Sequence, residues 1–144
     1  MAGDSQLDPF YLFASELTGF DRFDLEATGQ GEAYLKCVRA NADADMLESL
    51  FQVWAIIEAE VPPEKRAAAI AKRIMAVDGL REVAQGILML WYTGSWYEVA
   101  TGASSTLSGS AYVEGLMWKA IGSHPMAAKP QGYAAWTLPP PEAP

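Results

Sequence analysis

Gly86-Ile-Leu-Met-Leu-Trp-Tyr-Thr-Gly-Ser-Trp-Tyr97 is the stretch that decides the fold of this chain. Residues 87–92 are its longest unbroken apolar run, and Trp-Tyr pairs at 91–92 and 96–97 stand on either side of Gly94. A helix that crosses a bilayer needs about 20 apolar residues, so this run is too short to do so. We interpret it as the end of a buried helix that stops at Gly94 and releases the second aromatic pair into a loop.

Helical periodicity extends over most of the chain around this stretch. Apolar residues at helical spacing, with Asp, Pro and Gly at the ends, predict helices over residues 8–18, 31–40, 43–60, 63–76, 78–93 and 110–121. Residues 20–31 are predicted to be irregular, and the Gly/Ser/Thr-rich residues 93–110 are predicted to form a loop. The sequence therefore predicts an all-α fold, a compact bundle of five or six helices within a domain at residues 1–122.

The remaining residues, 123–144, are predicted to form an extended Pro-rich tail. Six prolines prevent a regular element there. The tail nevertheless carries large apolar side chains, namely Met126, Tyr133, Trp136 and Leu138. Disordered tails are usually poor in aromatic residues, so we expect this tail to dock on a partner.

Composition excludes several classes of function. Charged residues are 19% of the chain, against a usual share of about 25%, which suggests that something other than water covers part of its surface. The formal net charge of -8 argues against nucleic acid, since phosphate binding requires clustered Lys and Arg. It also opposes contact with anionic lipid headgroups, and we expect no direct membrane insertion.

Two features bear on the cellular compartment. A single cysteine, Cys37, excludes an internal disulfide but says little about location. The first residues, Met1-Ala-Gly-Asp-Ser-Gln, have neither a basic region nor an apolar region, so no signal peptide is expected in this chain. Three explanations remain open: a cytoplasmic protein, a signal that was removed, or export in complex with a partner.

No residue pattern indicates catalysis. The sequence holds neither a His/Cys set for zinc, nor a calcium-binding loop, nor a Gly-rich phosphate-binding motif. His124 lies in a Ser-His-Pro turn that is typical of a surface residue. Lys36 and Arg39 would lower the pKa of the Cys37 thiol, although its helical position favours a small, partly buried hydrophobe. We expect no catalytic, cofactor-binding or metal-binding residue in this chain.

Abundant Trp and Tyr without acid–base groups favour a binding subunit, because these side chains dominate interface hot spots. We expect Trp91 and Tyr92 to be core residues, so Trp91→Ala should destabilise the fold. We expect Trp96→Ala to leave the fold intact and to weaken a complex. The predicted partner-binding residues are Trp96, Tyr97, Met126, Tyr133, Trp136 and Leu138.

Four motifs in order carry a resemblance to a known family. They are Phe13-Ala-Ser-Glu-Leu-Thr-Gly19, Trp91-Tyr-Thr-Gly94 at the end of its apolar run, Tyr112-Val-Glu-Gly-Leu-Met-Trp118, and Gly132-Tyr-Ala-Ala-Trp136. With them the chain resembles the small (gamma) subunit of bacterial FAD-dependent sugar and sugar-alcohol dehydrogenase complexes. These complexes act on sorbitol, glucose or fructose, or on glucosides at carbon 3.

The resemblance implies a non-catalytic role in a periplasmic complex. A large catalytic subunit of the glucose-methanol-choline oxidoreductase type would hold the FAD and the active site. The small subunit would stabilise that flavoprotein and assist its folding and export, and a cytochrome c subunit would accept the electrons. Family members usually begin with a twin-arginine signal, and many carry a cysteine in the tail. This sequence has neither pattern, so we expect no covalent tether through the tail.

Two other functions remain open from the residues alone. The first is a stand-alone helical adaptor protein in the cytoplasm. The second, less favoured, is an enzyme in its own right that uses Cys37 or His124.

Overall fold

The computed structural model describes residues 5–98 and 101–122 and has a mostly α-helical fold. The predicted fold class is confirmed. In chain order the helices are α1 (Leu7–Thr18), α2 (Arg22–Ala27), α3 (Gly31–Asn41), α4 (Ala44–Glu60), a 3₁₀ turn (Pro63–Lys65), α5 (Arg66–Arg73), α6 (Asp78–Thr93), α7 (Gly109–Glu114) and α8 (Leu116–Ala120). Two short strands, β1 (Ser95–Tyr97) and β2 (Ser104–Thr106), lie between α6 and α7.

Helix α6 is the centre of the fold, since α1, α3, α4, α8 and β1 all pack against it. Trp91 is fully buried, and its ring centroid lies 4.7 Å from that of Tyr34 in an edge-to-face arrangement. Phe10 and Tyr11 of α1 approach the same indole with centroids at 5.8 and 6.0 Å. Aromatic pairs at these separations stabilise a core beyond the area they bury. The prediction that Trp91 is a core residue is confirmed.

A second aromatic contact joins α1 to α4 on the other side of the bundle. Phe13 and Trp54 are both buried, and their ring centroids are 5.5 Å apart. Helix α4 begins at the cap that the sequence predicts, because the Asp43 carboxylate accepts the backbone N–H of Met46 at 3.0 Å. Such a cap satisfies a backbone donor that the helix itself leaves without a partner.

Gly94 ends α6 as predicted. Its φ of 70° is left-handed, and its N–H donates to the carbonyl of Leu90 at 2.8 Å. A Cβ at this position would lie 2.4 Å from the carbonyl oxygen of Ala111, so only glycine fits. Just before this stop, the half-buried Tyr92 donates its hydroxyl to the carbonyl of Thr18 at 2.9 Å. That bond ties the end of α6 to the end of α1.

Helix boundaries in the first half of the chain differ from the prediction at two places. Residues 22–27, predicted to be irregular, form α2, because the Asp21 carboxylate caps the N–H of Asp24 at 2.9 Å and Leu25 is fully buried. The sequence indicates Asp8 as the N-cap of the first helix and Pro9 as its first helical residue. That prediction was wrong, because α1 begins at Leu7, and Asp8 lies in its first turn and pairs with Arg22.

Two of the predicted helices are interrupted. The predicted helix over 63–76 is a 3₁₀ turn followed by a shorter α5, and Arg66 donates to the carbonyls of Glu58 and Val61 instead of facing solvent. The predicted helix over 110–121 divides at Gly115, whose ψ of 130° is extended. A Cβ on Gly115 would lie 2.7 Å from the carbonyl oxygen of Tyr92, so this glycine permits a close approach to α6.

Within the described ranges, no helix is both long enough and apolar enough to cross a membrane.

Candidate docking surface

The predicted loop after α6 contains a β-hairpin. Strands β1 and β2 are antiparallel, with Ser95 opposite Thr106 and Tyr97 opposite Ser104. Backbone bonds close both ends of the ladder, from Leu107 N–H to the Gly94 carbonyl at 2.9 Å and from Glu98 N–H to the Ala103 carbonyl at 2.7 Å. The interpretation of this segment as a loop throughout was therefore wrong, and the second aromatic pair is held on a strand.

The hairpin is fixed on α6 by a tryptophan and a glycine. The half-buried indole of Trp96 fills the space where a side chain at Gly86 would be, since a Cβ there would lie 2.7 Å from its Cη2 atom. The Trp96 Nε1 is buried and has no hydrogen-bond partner among the described residues. Gly86 is thus a socket in the middle of a helix, and the contact orients the whole hairpin.

Tyr97 has a different environment from its neighbour. Its side chain is 41% exposed, although it belongs to the same anchored strand. Two further apolar side chains are exposed in the neighbouring segments. Met89 lies one helical turn after Gly86, and Leu107 follows β2. The hairpin therefore presents an aromatic side chain to solvent on a support that is itself packed onto the core.

A groove with a volume of about 380 Å³ runs beside the hairpin, between β1 and the N-terminal parts of α4 and α6. Its lining is Asn41, Ala42, Asp43, Met46, Gly79, Glu82, Val83, Trp96, Tyr97 and Glu98. Gly79 allows the close approach of Met46, whose sulfur would lie 2.6 Å from a Cβ at that position. The walls combine apolar surface with the two aromatic side chains of β1.

The rim of this groove is negatively charged. Asp43, Glu82 and Glu98 are exposed carboxylates, and none of the described lining residues is Lys or Arg. Asp43 already has a structural role as the cap of α4. Glu82 and Glu98 have no comparable structural role, so they define the electrostatic character of the groove. Such a rim attracts cationic groups and repels carboxylates.

The structure places two of the six predicted partner-binding residues. Trp96 and Tyr97 lie side by side on β1, the first half-buried and the second exposed. The other four, Met126, Tyr133, Trp136 and Leu138, lie outside the described residues, as does His124.

Sequence reasoning missed the groove and the socket. Glu82 and Gly86 are one turn apart on α6, and Met89 follows at the next turn, so these residues share a side of the helix. A glycine inside a strongly apolar helix signals close packing by another element. The sequence contains that signal, but its partner, Trp96, lies in a segment that the sequence predicts to be an outward-facing loop.

Cys37 is a buried core residue, as its helical position predicted. Burial raises the pKa of its thiol, so the predicted lowering by Lys36 and Arg39 was wrong. The Asn41 amide donates to the carbonyl of Cys37 at 2.8 Å and lies 3.6 Å from its sulfur. A buried thiol with a raised pKa is a poor nucleophile at neutral pH.

A separate polar cluster surrounds Arg22. Its guanidinium bonds the carboxylates of Asp8 and Glu26 and lies over the ring of Tyr11 at 5.5 Å. The hydrogen bonds that the guanidinium donates to the carboxylates of Glu26 and Asp8 raise the pKa of Arg22. Because the cluster joins α1 to α2 and is largely exposed, it is a structural ion-pair network. In the part of the chain that the structure describes, no group of His, Cys, Asp and Glu side chains could hold a metal ion.

Comparison with protein-family models, curated proteins and solved structures finds no match to this chain.

Proposed function

We propose that the chain is the non-catalytic small subunit of a heteromeric FAD-dependent sugar dehydrogenase. In this role it stabilises the flavoprotein catalytic subunit and helps it fold and reach the periplasm. The order of the four motifs between residues 13 and 136 supports the proposal. Catalysis and FAD belong to the partner, a subunit of the glucose-methanol-choline type, and a cytochrome c subunit is the proposed electron acceptor.

The observation that carries the proposal is the anchored hairpin. Trp96 is seated on Gly86 of α6, and the next residue, Tyr97, is held exposed beside the groove. A tyrosine on a rigid support loses little conformational entropy on binding, and tyrosine is among the residues most enriched at interface hot spots. Met89 on α6 and Leu107 directly after β2 are two further exposed apolar side chains in this part of the chain.

The tail completes the proposed interface. Residues 123–144 contain Tyr133, Trp136 and Leu138, and a tail of about 20 residues spans roughly 60–70 Å when extended. It is therefore long enough to follow the surface of a much larger subunit. We expect the interface to exceed the usual total of about 1,600 Å² because the hairpin and tail both contribute to it.

Co-expression tests the proposal. The full chain is produced with a flavoprotein of the glucose-methanol-choline type from the same source, and the mass of the purified complex and its FAD content are measured. We expect a stable complex, and we expect flavoprotein yield and FAD loading to fall when the small chain is omitted. A chain that stays monomeric and leaves flavoprotein yield unchanged would contradict the proposal.

A stand-alone adaptor is the second candidate, and one observation favours it. The described residues enclose fully buried aromatic side chains, including Trp54, Trp91 and Tyr34, without any contribution from another chain. A hydrophobic core formed by one chain alone is compatible with a stable monomer. The two proposals separate on partner class, because an adaptor would bind a protein without FAD.

Activity of the chain alone is the test of the third possibility, an enzyme in its own right. The purified chain is assayed for sugar oxidation with an artificial electron acceptor. We expect no turnover, because the thiol of Cys37 is buried and has a raised pKa. Turnover that persists in the purified chain, and that Cys37→Ala or His124→Ala abolishes, would assign catalysis to this chain.

A further inference from the structure

The groove beside the hairpin carries negative charge that the described residues leave unbalanced. Glu82 on α6 and Glu98 directly after β1 are exposed, and within the described residues their carboxylates form neither an ion pair nor a hydrogen bond. The nearest basic residue in sequence, Arg81, pairs with Asp78 at 2.8 Å and does not line the groove. A cation for Glu82 and Glu98 must therefore come from outside the described residues.

The starts of two helices lie at the same groove and also bear on its charge. A helix N-terminus carries a partial positive charge over its first turn, which by itself attracts anions. At the start of α4 the Asp43 carboxylate accepts the N–H of Met46 at 3.0 Å, and Asp78 lies in the first turn of α6. These two carboxylates offset the helix ends, so Glu82 and Glu98 leave the groove with an excess of negative charge. The groove therefore suits a cation.

The rest of the lining selects among cations. Met46, Val83, Trp96 and Tyr97 contribute apolar and aromatic surface, so a matching occupant combines positive charge with an apolar stem. The lysine ammonium is a compact and strongly hydrated charge. The arginine guanidinium is planar and more weakly hydrated, bonds carboxylates through several N–H groups and stacks on aromatic rings. An arginine side chain therefore fits this lining better than a lysine side chain.

The volume of the groove limits the size of the occupant. It is about 380 Å³, near the lower end of the range of about 300–1,000 Å³ that is usual for small-ligand sites. Such a groove admits a single long side chain but not a helix, whose diameter with side chains is about 10–12 Å. The occupant is therefore one residue of a larger surface.

The position of the groove connects it to the proposed flavoprotein contact. Tyr97 is 41% exposed and also lines the groove, and Glu98 is the next residue in the chain. A partner that packs on Tyr97 therefore displaces water from the adjoining carboxylate. A carboxylate that loses water without gaining a counter-charge costs several kcal/mol. A surface that covers Tyr97 is thus expected to supply a cation beside it.

We propose that the groove receives an arginine side chain of the flavoprotein partner, with its guanidinium between Glu82 and Glu98 and its stem against Trp96 and Tyr97. This inference rests on the proposed function, because the flavoprotein supplies the arginine. Arginine and tyrosine are both enriched at interface hot spots, so the contact pairs a charged anchor with an aromatic one. Trp96, seated on Gly86, holds the β1 wall of the groove in place before the partner arrives.

Titration calorimetry with the flavoprotein tests the two carboxylates. Glu82→Gln/Glu98→Gln is expected to weaken binding about tenfold or more, because it leaves a buried guanidinium without its counter-charge. The control Glu60→Gln/Glu64→Gln makes the same change in net charge beyond the opposite end of α4 and should bind as the unmodified chain does. Unchanged affinity in the groove variant, or equal losses in both variants, would overturn the proposal.

Two further readouts separate a direct contact from a structural effect. Glu82 and Glu98 are exposed, so their replacement should leave the thermal unfolding temperature of the chain unchanged. The affinity of the unmodified chain should fall as salt is raised, and that of the groove variant should fall less steeply. Equal salt dependence in the two chains would contradict an ion pair at the groove.

Arginine modification identifies the occupant. The flavoprotein, alone and in saturated complexes, is treated with phenylglyoxal, which reacts with guanidinium groups, and the modified positions are located by mass spectrometry. We expect one flavoprotein arginine to be protected by the unmodified chain and to react in the complex with Glu82→Gln/Glu98→Gln. Protection that is independent of the two glutamates would overturn the proposal. A carbodiimide cross-link from Glu82 or Glu98 to a flavoprotein lysine would do so too, because the occupant would then be an ammonium group.

These experiments distinguish a failure of this inference from a failure of the proposed function. If the unmodified chain forms no complex with the flavoprotein, the proposed function fails and the arginine contact fails with it. If the complex forms and the groove variant binds with the same affinity, the proposed function stands and only the arginine contact is overturned.

Discussion

The two Trp-Tyr pairs, residues 91–92 and 96–97, have the same composition and lie five residues apart, yet they serve different parts of the molecule. Trp91 is fully buried at the centre of an aromatic cluster, and Tyr92 fastens α6 to α1. Trp96 packs on the outside of the same helix and holds Tyr97 toward solvent. The difference arises at Gly94, where the chain leaves the helix and turns back along it. Residue type alone therefore does not distinguish a core residue from an exposed one.

Of the substitutions that test this comparison, Trp91→Ala is expected to lower the free energy of unfolding most. The substitution leaves a cavity between Phe10 and Tyr34, and loss of a buried Trp costs about 3–5 kcal/mol. Urea denaturation followed by circular dichroism measures the change in the free energy of unfolding. If Trp91→Ala and Tyr97→Ala changed that free energy equally, the proposed difference in role between residues 91–92 and residues 96–97 would be contradicted.

Gly86→Ala tests the socket. The new methyl group meets the Trp96 ring at 2.7 Å, and overpacking of this kind costs about 1–3 kcal/mol. The control is Gly109→Ala, which adds a methyl group in open space and should be neutral or slightly stabilising. Thermal unfolding of both variants checks the expectation. A neutral Gly86→Ala would mean that the hairpin is not seated on α6.

Trp96→Ala should lower the free energy of unfolding less than the loss of the fully buried Trp91 does. Its indole is half-buried, so the lost burial is about 1–2 kcal/mol, less than for a fully buried aromatic side chain. The sequence-based expectation of an unaffected fold is therefore revised to a modest loss. In the Trp96→Ala background, Gly86→Ala should become nearly neutral because the clash is absent, and a double-mutant cycle measures this coupling. Additive costs would argue against direct contact.

Tyr34→Phe should change stability least at neutral pH. The Tyr34 hydroxyl is buried and has no hydrogen-bond partner among the described residues, so its removal should change the free energy of unfolding by about 1 kcal/mol or less. Burial raises the pKa of Tyr34 above its ordinary value of 10.0. The unfolded chain therefore ionises first, and the stability that depends on neutral Tyr34 is complete below pH 10 and declines above it.

Tyr34→Phe should accordingly flatten the alkaline part of the stability profile. Unfolding free energies from pH 8 to pH 11 measure this effect, and the exposed Tyr97→Phe is the matched control. Equal alkaline slopes for the wild-type and Tyr34→Phe chains would show that Tyr34 ionises as readily in the fold as outside it.

The sequence predicted what local chemistry dictates. Periodicity placed α3, α4 and α6, Asp43 was predicted at the start of α4, and Gly94 ended α6 because only glycine fits its left-handed backbone. These features depend on a few neighbouring residues. The fold class followed from them and is mostly α-helical, as expected.

Features that depend on contacts between distant segments were missed. The strands of the hairpin have three residues each, and β2 is Ser-Ser-Thr, so neither gives a readable apolar alternation. The position of the hairpin depends on the contact of Trp96 with Gly86. The break at Gly115 reflects its approach to Tyr92, which no local pattern indicates. The groove joins residues 41–46 to 79–83 and 96–98, so its acidic rim is visible only after folding.

We propose that Tyr97 contacts a flavoprotein partner, whereas α6 holds the fold. The most direct test uses titration calorimetry to measure the affinity of the full chain for the proposed flavoprotein partner. It compares Tyr97→Ala with Phe23→Ala, which alters an exposed aromatic residue on α2. We predict that Tyr97→Ala weakens binding by about tenfold or more, which corresponds to roughly 1.4 kcal/mol, with no change in the urea midpoint. Phe23→Ala should bind as the unmodified chain does. Unchanged affinity in Tyr97→Ala, or equal losses in both variants, would contradict the claim.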